Sequence, residues 1–510
     1  MRGRMLIPGA VAALGAAAYL LVQPPSADLA AQEYRAELGL VLWNNGWYAG
    51  HHTPGYSLLF PPLGEAIGAR PVGALAAVAA GALLGALAHR HWGRRGGWGA
   101  GAAAVWLAAA TTAVLLSGRI TFLLGLAIGA GALLALACDR RALALALAAP
   151  ATLASPVAGL FVALAAAAWG LAERARWLTG AAIAAAALAP IALMLALFPQ
   201  GGSEPFVASA FWPALAVALL AAALLPARER TLRIGALLYA VLLVAAFALA
   251  TPLGGNATRL GALAAGPVVV GALGAAGRSR ALVAALALPL AYWPLYPAVR
   301  DVSRAAGDPS LQAAYHDPLV RFLESRPGSF RVEIPLTENH WEARHVAPRI
   351  ALARGWERQL DRRYAALFYD GSLDAASYRA WLDARAVAYV AVPDVPLDYA
   401  ARAEARLVAA GLPYLREVWR DAHWRVFAVS RPRPLAQGAA ARATLDAGAV
   451  TLHAPRAGDV LVRVHHTRWW RIASGRACVR PAPGAMTLVR VRAPGTVRIR
   501  ARLTGSVCRR

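Results

Sequence analysis

Five side chains that could do acid–base or metal chemistry lie in one stretch near the start of the chain. They are Asp28, Glu33, Glu37, His51 and His52, set among aromatic residues in a half of the chain otherwise rich in Ala, Leu, Val and Gly. A carboxylate at the end of a membrane span, beside a cavity, can act as general base on an acceptor hydroxyl. Titratable groups gathered at one membrane face indicate function. The stretch is therefore predicted to form the acidic edge of an active site.

Asp28 is the first candidate base, and it has a second interpretation. Ser26 and Asp28 precede a helical pattern, and acidic residues are favoured in the first turn of a helix, so Asp28 could instead serve helix capping. Glu33 is the second candidate base. Glu33 and Glu37 are four residues apart, as in a solvated helix face. For both Asp28 and Glu33, the sequence is compatible with a catalytic role and with a role in the helix itself.

His51, His52 and Tyr56 form a candidate substrate-binding set in the segment NNGWYAGHHTPGYSLLFPPL. The histidines could bind phosphate or a metal, or shuttle protons. Adjacent side chains on regular backbone point in different directions, so no shared metal ion is predicted. The alternative is an interfacial aromatic belt that leads into the second span.

Two arginines stand at the ends of otherwise apolar segments, Arg119 in LSGRITF and Arg259 in PLGGNATRL. The guanidinium group suits bidentate phosphate recognition, so a lipid-linked phosphate is a natural ligand. Asn256 follows two glycines in an open loop with exposed amides and joins this substrate-binding set. Snorkelling of the arginines to lipid headgroups is the alternative.

The composition predicts a polytopic membrane protein. Of 510 residues, 59% are hydrophobic, and the mean hydropathy is +0.48, which is too apolar for one soluble globule. The formal net charge is +25 and every basic residue is arginine. Much of that charge is attributed to loops between spans, and no nucleic-acid motif accompanies it. The predicted spans are 5–22, 71–88, 97–116, 121–138, 142–150, 156–171, 177–198, 207–225, 232–250, 260–276 and 281–297.

Arginine usage predicts the orientation of the spans. Alternate loops carry clusters of arginine, and the loops between them carry few, which places the clustered side in the cytoplasm. With about 11 spans, the N-terminus is cytoplasmic, and the first long loop and the C-terminal region are extracytoplasmic. The short pair 142–150 and 156–171 is predicted as two tilted spans or a re-entrant hairpin.

The predicted domains are a helical membrane domain at 1–300 with its first outer loop at 24–70, an α/β module at 301–431 and a β-sandwich-like module at 432–510. The α/β module has predicted strands at 330–335, 386–393 and 424–429, and the last module has strand-like runs VTLHAP, DVLVRVHH, WWRIA, MTLVRVRAP and TVRIRARL. Cys478 and Cys508 fall in the last module, where a disulfide is expected if the compartment is oxidising. His340 and His345 lack the spacing of a metalloprotease pair, so packing is predicted for them.

Several stretches together resemble the GT-C superfamily of membrane glycosyltransferases, and more narrowly a group of actinobacterial polytopic membrane proteins. They are WNNGWYAGHHTPGYSLLFPPL, SGRITFLLGLAIG, TPLGGNATRLG, ARGWERQLDRRYAALFYDG and WLDARAVAYVAVP. The resemblance implies a polyprenyl-phosphate sugar donor and an acidic base in the first outer loop. Asp28 would take that role, with Glu33 as second choice, and Arg119 and Arg259 would hold the donor phosphate by analogy. The chain departs from the superfamily in lacking a paired Asp-Glu motif.

The expected function is transfer of a sugar from a polyprenyl-phosphate donor to a cell-envelope acceptor on the outer face of the plasma membrane. The expected partners are membrane lipids, the lipid-linked donor and an envelope glycan or lipid, with no nucleic acid. No cofactor beyond the donor is expected, and a divalent metal is left open. A transporter or flippase of lipid-linked material, or a non-catalytic envelope scaffold, are the alternatives.

Overall fold

The computed structural model describes residues 2–47, 57–95, 98–440 and 442–505. The chain divides into two compact units, one of Met1–Gly39 with Gly55–Ala306 and one of Leu40–Pro54 with Gly307–Arg510. The sequence-based boundary kept all of the first loop, 24–70, with the helical domain. The structure instead assigns the middle of that loop to the second unit.

The first unit is helical, and each of the eleven predicted apolar segments is an α-helix. The helices are α1 (Arg2–Val22), α2 (Ala27–Leu38), α3 (Phe60–Ile67), α4 (Ala69–Trp92), α5 (Gly99–Leu116), α6 (Ile120–Ala137), α7 (Arg141–Ala154), α8 (Pro156–Ala172), α9 (Trp177–Leu197), α10 (Ala208–Leu224), α11 (Arg230–Ala248), α12 (Thr258–Ala275) and α13 (Arg280–Ala305).

Seven helices of the described chain are long and apolar enough to cross a membrane, and the bent pair α1–α2 would make an eighth. The helices α7, α8 and α10 are apolar but shorter. Pro150 was expected to help break the short pair, yet α7 continues through it to Ala154. The break falls at Ser155, whose side chain caps α8 by accepting a hydrogen bond from the Ala158 amide.

The helix α2 turns away from α1 by 79°. The residues between them include Gln23, whose φ of 49° is left-handed, followed by Pro24 and Pro25, which cannot continue the α1 hydrogen-bond ladder. Most of α2 is buried. The turn thus places a short, largely buried helix at the C-terminal end of α1.

Small residues allow the helices of the first unit to approach closely. A Cβ on Gly81 of α4 would lie 2.7 Å from the Ala12 Cβ of α1, and one on Gly15 of α1 would lie 2.4 Å from Thr112 Oγ1 of α5. Close backbone approach through glycine and alanine is the usual packing solution for helices in lipid. It explains why so alanine-rich a sequence forms a bundle.

The second unit begins with an α/β region. Its mixed sheet has the order β1-β2-β4-β3, in which β1 and β2 are parallel and the other pairs are antiparallel. The predicted strands at 330–335, 386–393 and 424–429 correspond to β1, β2 and β4, and β3 was missed. The elements are α14 (Ala313–Glu324), β1 (Arg331–Glu333), α15 (Glu342–His345), α16 (Arg358–Tyr364), α17 (Ala375–Ala384), β2 (Val387–Pro393), α18 (Arg402–Ala409), β3 (Leu415–Arg420) and β4 (Trp424–Val429).

The end of the chain forms two antiparallel four-stranded sheets of order β10-β11-β8-β5 and β6-β7-β12-β9. Alternate residues of both sheets, such as Val462 and Ile499, share one core, so the pair is a β-sandwich. The strands are β5 (Ala436–Gly438), β6 (Arg442–Asp446), β7 (Ala449–Ala454), β8 (Gly458–His465), β9 (Trp470–Ser474), β10 (Ala477–Ala482), β11 (Met486–Val491) and β12 (Gly495–Ala501).

A segment of the first loop completes this unit. Trp43 is 1% exposed and lies in the sandwich core, with its ring centroid 4.8 Å from that of Trp470. Asn45 donates from Nδ2 to the carbonyls of Asp446 and Ala449, each at 2.7 Å. Asn45 therefore satisfies the carbonyls at the β6–β7 turn, and the loop segment is part of the fold of the second unit.

Candidate active site

The α5–α6 turn packs directly against the first turn of α2. Gly118 in this turn has φ 70°, and a Cβ there would lie 2.4 Å from Ser26 Oγ and 2.6 Å from the Leu29 amide nitrogen. Only glycine meets both demands, a left-handed backbone and the absence of a side chain. The next residue, Arg119, is the N-cap of α6 and is brought beside α2 by this contact.

Asp28 and Arg119 form an ion pair. Arg119 Nε lies 3.4 Å from Asp28 Oδ2, and the side chains are 22% exposed for Arg119 and 34% exposed for Asp28. The separation is longer than that of a tight charge-assisted hydrogen bond. Among the described residues, the Arg119 side chain makes no other hydrogen bond, which leaves four of its five N–H donors for a ligand or solvent.

Asp28 does not have the capping role that its position allowed. The N-cap of α2 is Ser26, with no side-chain capping hydrogen bond, and Asp28 lies inside the first turn. There it interacts favourably with the positive end of the helix dipole. The first-turn position agrees with the alternative interpretation of a helix-stabilising acid, and the Asp28 carboxylate also pairs with Arg119 of another element.

Asp301 belongs to the same charged group and was missed by sequence reasoning. It is 8% exposed and accepts hydrogen bonds at its Oδ1 from Arg300 Nε at 3.0 Å and Nη2 at 2.8 Å. Asp28 and Arg119 both act on it electrostatically. The last predicted span ends at residue 297, whereas helix α13 continues to Ala305. The available signal was an acid about one helical turn beyond the predicted end of the last apolar run.

Glu33 lies in a separate ion pair. Arg70 Nε is 3.0 Å from Glu33 Oε1, with both side chains mostly buried. Arg70 also donates to the Pro24 carbonyl at 3.1 Å and lies 5.7 Å from the Tyr19 ring centroid. Arg70 thus links the end of α1, α2 and the start of α4. This engagement gives Glu33 a structural contact that Asp28 does not share.

Arg259 contacts α6 at a residue three positions after Arg119. Its guanidinium is 5.4 Å from the Phe122 ring centroid, and Phe122 follows Arg119 by three residues on α6, on the same helix face. Asn256 is half-buried in a 3₁₀ turn, Gly254–Ala257, that precedes α12. Tyr239 Oη fixes this turn by donating to the Ala257 carbonyl at 3.0 Å.

Several predicted residues lie outside the described part of the chain, namely His51, His52, Tyr56 and Cys508. Cys478 is disulfide-bonded, and Cys138 is a free thiol. The pairing of Cys478 with Cys508 stays a prediction. Within the described ranges, no group of three or more His, Cys, Asp or Glu side chains could hold a metal ion.

A cavity of about 420 Å³ lies away from these residues, between α10 and α11. Its lining is mainly apolar, with Arg230 and Arg233 as its charged members. No predicted site residue lines this cavity. The cavity expected beside Asp28 stays a prediction.

The second unit buries a charged network of its own. Arg354 bonds bidentately to Asp361, at 3.0 and 2.7 Å, and lies 3.3 Å from Glu404. Burial raises the pKa of Glu404 to about 6. Burial and the nearby charge of Glu404 raise the pKa of Glu333 well above its usual value. These groups are fully buried and pair with each other, so the network is structural.

His340 is also buried, as the packing prediction required. Its ring stacks on Trp356 with centroids 3.8 Å apart, and Nε2 lies 3.5 Å from Asp398 Oδ2. Burial by itself would lower the pKa of His340, but contacts with Asp398 and Glu342 outweigh burial and raise it. His340 therefore acts in the fold of the second unit, as a member of a buried contact with Asp398 and Glu342.

Comparison with known proteins assigns no family to this chain. No family model matches the chain, and no curated protein matches it. Among solved structures, it is similar to the Archaeoglobus fulgidus oligosaccharyltransferase in complex with Zn and sulfate. The two chains share 15% identity over 76% of this chain and 68% of that one, with a TM-score of 0.36. A TM-score of 0.36 supports no conclusion about the fold or the function of this chain.

Proposed function

We propose that the chain is a membrane glycosyltransferase that transfers a sugar from a polyprenyl-phosphate donor to a cell-envelope acceptor at the outer face of the plasma membrane. The observation that carries the proposal is the Asp28–Arg119 pair, with 3.4 Å between Nε and Oδ2. It joins a partly exposed carboxylate, which can accept a proton, to a guanidinium group, which can hold a phosphate.

In this proposal Asp28 removes the proton of the acceptor hydroxyl, and the acceptor oxygen bonds to the anomeric carbon with inversion. The bond from that carbon to the phosphate oxygen breaks, and the polyprenyl phosphate leaves with the electron pair. Arg119 binds the leaving phosphate, and Arg259 supplies further positive charge. Asp28 is preferred to Glu33 as base because Arg70 holds the Glu33 carboxylate at 3.0 Å.

Asp301 and Arg300 support this arrangement as positioning residues. The Asp301 carboxylate is buried and bonded to Arg300, and its charge acts on the Asp28–Arg119 pair. A buried carboxylate favours a cation beside it. We assign to Asp301 the role of adding negative charge in the surroundings of Arg119.

Transport of lipid-linked material is the second candidate. The break at Ser155 between α7 and α8 resembles the interrupted helices of transporters. Substrate sites in such proteins lie at the break itself, whereas the charged groups described above lie at helix ends. The glycosyltransferase therefore fits the positions of the charges better.

The test is Asp28→Asn in the full chain, assayed with synthetic polyprenyl-phosphate hexoses and pentoses and envelope fractions as acceptor. Loss of a general base predicts a fall in transfer of at least about 100-fold. Glu37→Gln is the matched control, because Glu37 is an exposed acid on the same helix, and its activity should stay at the wild-type level. Unchanged transfer by the Asp28 variant would reject the proposal.

A further inference from the structure

The β-sandwich is far more basic than the rest of the chain. Residues 432–510 contain 15 arginines and two aspartates, a formal net charge of +13 out of the total of +25. Loops between membrane spans therefore account for less than half of the basic excess. Both aspartates are already paired, Asp446 with Arg498 at 2.7 Å and Asp459 with Arg490 at 2.7 Å. The remaining positive charge needs another explanation.

One outer face of the sandwich gathers these charges. It belongs to the sheet β6-β7-β12-β9, whose inward residues, such as Leu452 and Ile499, fill the core. Because side chains alternate along a strand, the residues between them point outward. We call this outward surface the Arg500 face and define it by Arg442, Thr444, Asp446, Thr451, Arg498 and Arg500, of which Asp446 is paired with Arg498.

The strand register places these side chains side by side. Thr444 pairs with Thr451, and Thr451 with Arg498, while Arg498 also pairs with Ser474 of β9. Arg500 lies two residues further along β12, on the same face. Neighbouring strands are about 4.8 Å apart, so the hydroxyl groups of Thr451 and Ser474 lie on either side of Arg498.

A second row of the face is also polar. Arg442 pairs with His453, and His453 with Thr496, and His453 Nδ1 lies 3.1 Å from Thr496 Oγ1. Arg442, Arg498 and Arg500 are all exposed. Among the described residues of these four strands, no large apolar side chain points outward on this face.

We propose that the Arg500 face binds an anionic glycan, a sugar polymer that carries carboxylate or phosphate groups. Arginine forks match both anions bidentately, and the threonine, serine and histidine groups between them can bond to sugar hydroxyls. A membrane surface is the poorer partner, because interfacial binding combines basic residues with inserted apolar ones. As a statement about the acceptor, this inference rests on the proposed function; the surface itself does not.

The test measures binding of polygalacturonate, a phosphate-bearing mannan and neutral dextran to the immobilised full chain in detergent at low salt. The variant R442Q/R498Q/R500Q is compared with R456Q/R476Q/R480Q. The control removes the same charge from exposed arginines outside the Arg500 face. Thermal unfolding of both variants checks that each is folded.

The first variant should lose affinity for the anionic polymers by about tenfold or more, since Arg442 and Arg500 lose their charge-assisted contacts and Asp446 loses its partner Arg498. The control should change less than about twofold. Binding should also fall as salt is raised. The anionic polymer that binds more tightly shows whether the face prefers carboxylate or phosphate groups. Equal losses in both variants, dextran binding as tight as that of the polyanions, or failure of both polyanions to bind would overturn the proposal.

Binding to vesicles that contain phosphatidylglycerol tests whether the Arg500 face binds a membrane surface instead of a glycan. Loss of vesicle binding in the first variant with polyanion binding retained would replace the glycan by a lipid surface. The Asp28→Asn chain should bind the polyanions like the wild type. Failure of this inference and failure of the glycosyltransferase proposal are thereby distinguishable.

Discussion

Arg119 Nε lies 3.4 Å from Asp28 Oδ2, a contact between residues 91 positions apart in the chain. It joins the turn between α5 and α6 to the short helix that follows α1. Both residues are exposed enough to meet a ligand, and Asp301 lies buried within reach of their charges. In the proposed function, Asp28 would remove a proton and Arg119 would bind phosphate at this end of the helical unit.

Arg119 should bind phosphate through its fork of donors. Arg119→Gln is expected to weaken binding of a polyprenyl phosphate by about tenfold, and Arg119→Lys by less, because lysine keeps the charge but not the bidentate geometry. Binding to the full chain in detergent is measured by the shift of its unfolding temperature on titration. Arg278→Gln, at an exposed arginine between α12 and α13, is the control. Equal affinity in all four proteins would contradict the phosphate role.

Gly118 should be required for the contact between the α5–α6 turn and α2. Gly118→Ala adds left-handed strain of about 1–2 kcal/mol and overlap with Ser26 and Leu29 that costs about 1–3 kcal/mol more. Gly277→Ala is the matched control, since Gly277 has φ 71° and nothing within 4 Å of an added Cβ. The unfolding temperature should fall clearly further for Gly118→Ala. Two equal shifts would show that the turn does not pack on α2.

Trp43 should stabilise the second unit although it lies in the first loop. Its Nε1 donates to Asn45 Oδ1 at 2.7 Å, and its ring fills the sandwich core. Trp43→Ala should cost about 3–5 kcal/mol, and Trp177→Ala, at a site 53% exposed, less than about 0.5 kcal/mol. Limited proteolysis and thermal unfolding of the full chain are the measurements. If Trp43→Ala were as resistant to proteolysis and heat as Trp177→Ala, Trp43 would not contribute to the sandwich core.

His340 should make stability depend on pH. Its folded pKa is raised above the ordinary value of 6.5, so its contribution is complete below pH 6.5 and is lost as the pH rises through the folded pKa. The stability difference between wild type and His340→Gln should therefore be larger at pH 6 than at pH 9. Thermal unfolding across this range measures it.

His345 provides the control of opposite sign. Burial, the largest cause, lowers its pKa, so its contribution is present above pH 6.5 and is lost as the pH falls. The difference between wild type and His345→Gln should grow from pH 6 to pH 9. If the stability difference between wild type and His340→Gln did not change over the same pH range, the raised pKa of His340 would be contradicted.

The sequence alone determined most of the elements. Apolar runs mark helices α1 and α4 to α13 because a helix in lipid must satisfy its own backbone hydrogen bonds. Alternation marked β7, β8, β9, β11 and β12, whose inner faces fill one core. Strands β3, β5, β6 and β10 were missed, since short segments with partly exposed residues carry a weak pattern.

Tertiary structure alone decided which residues meet. Asp28 and Arg119 were each singled out, but no local pattern encodes a contact across 91 positions. Asp301 was missed because the end of a helix depends on what it packs against, not only on hydropathy. Trp43 was taken for the edge of a membrane site, and it fills the core of the other unit. Local pattern records each residue's own burial and periodicity, whereas pairing between distant segments is set by the packing of the whole chain.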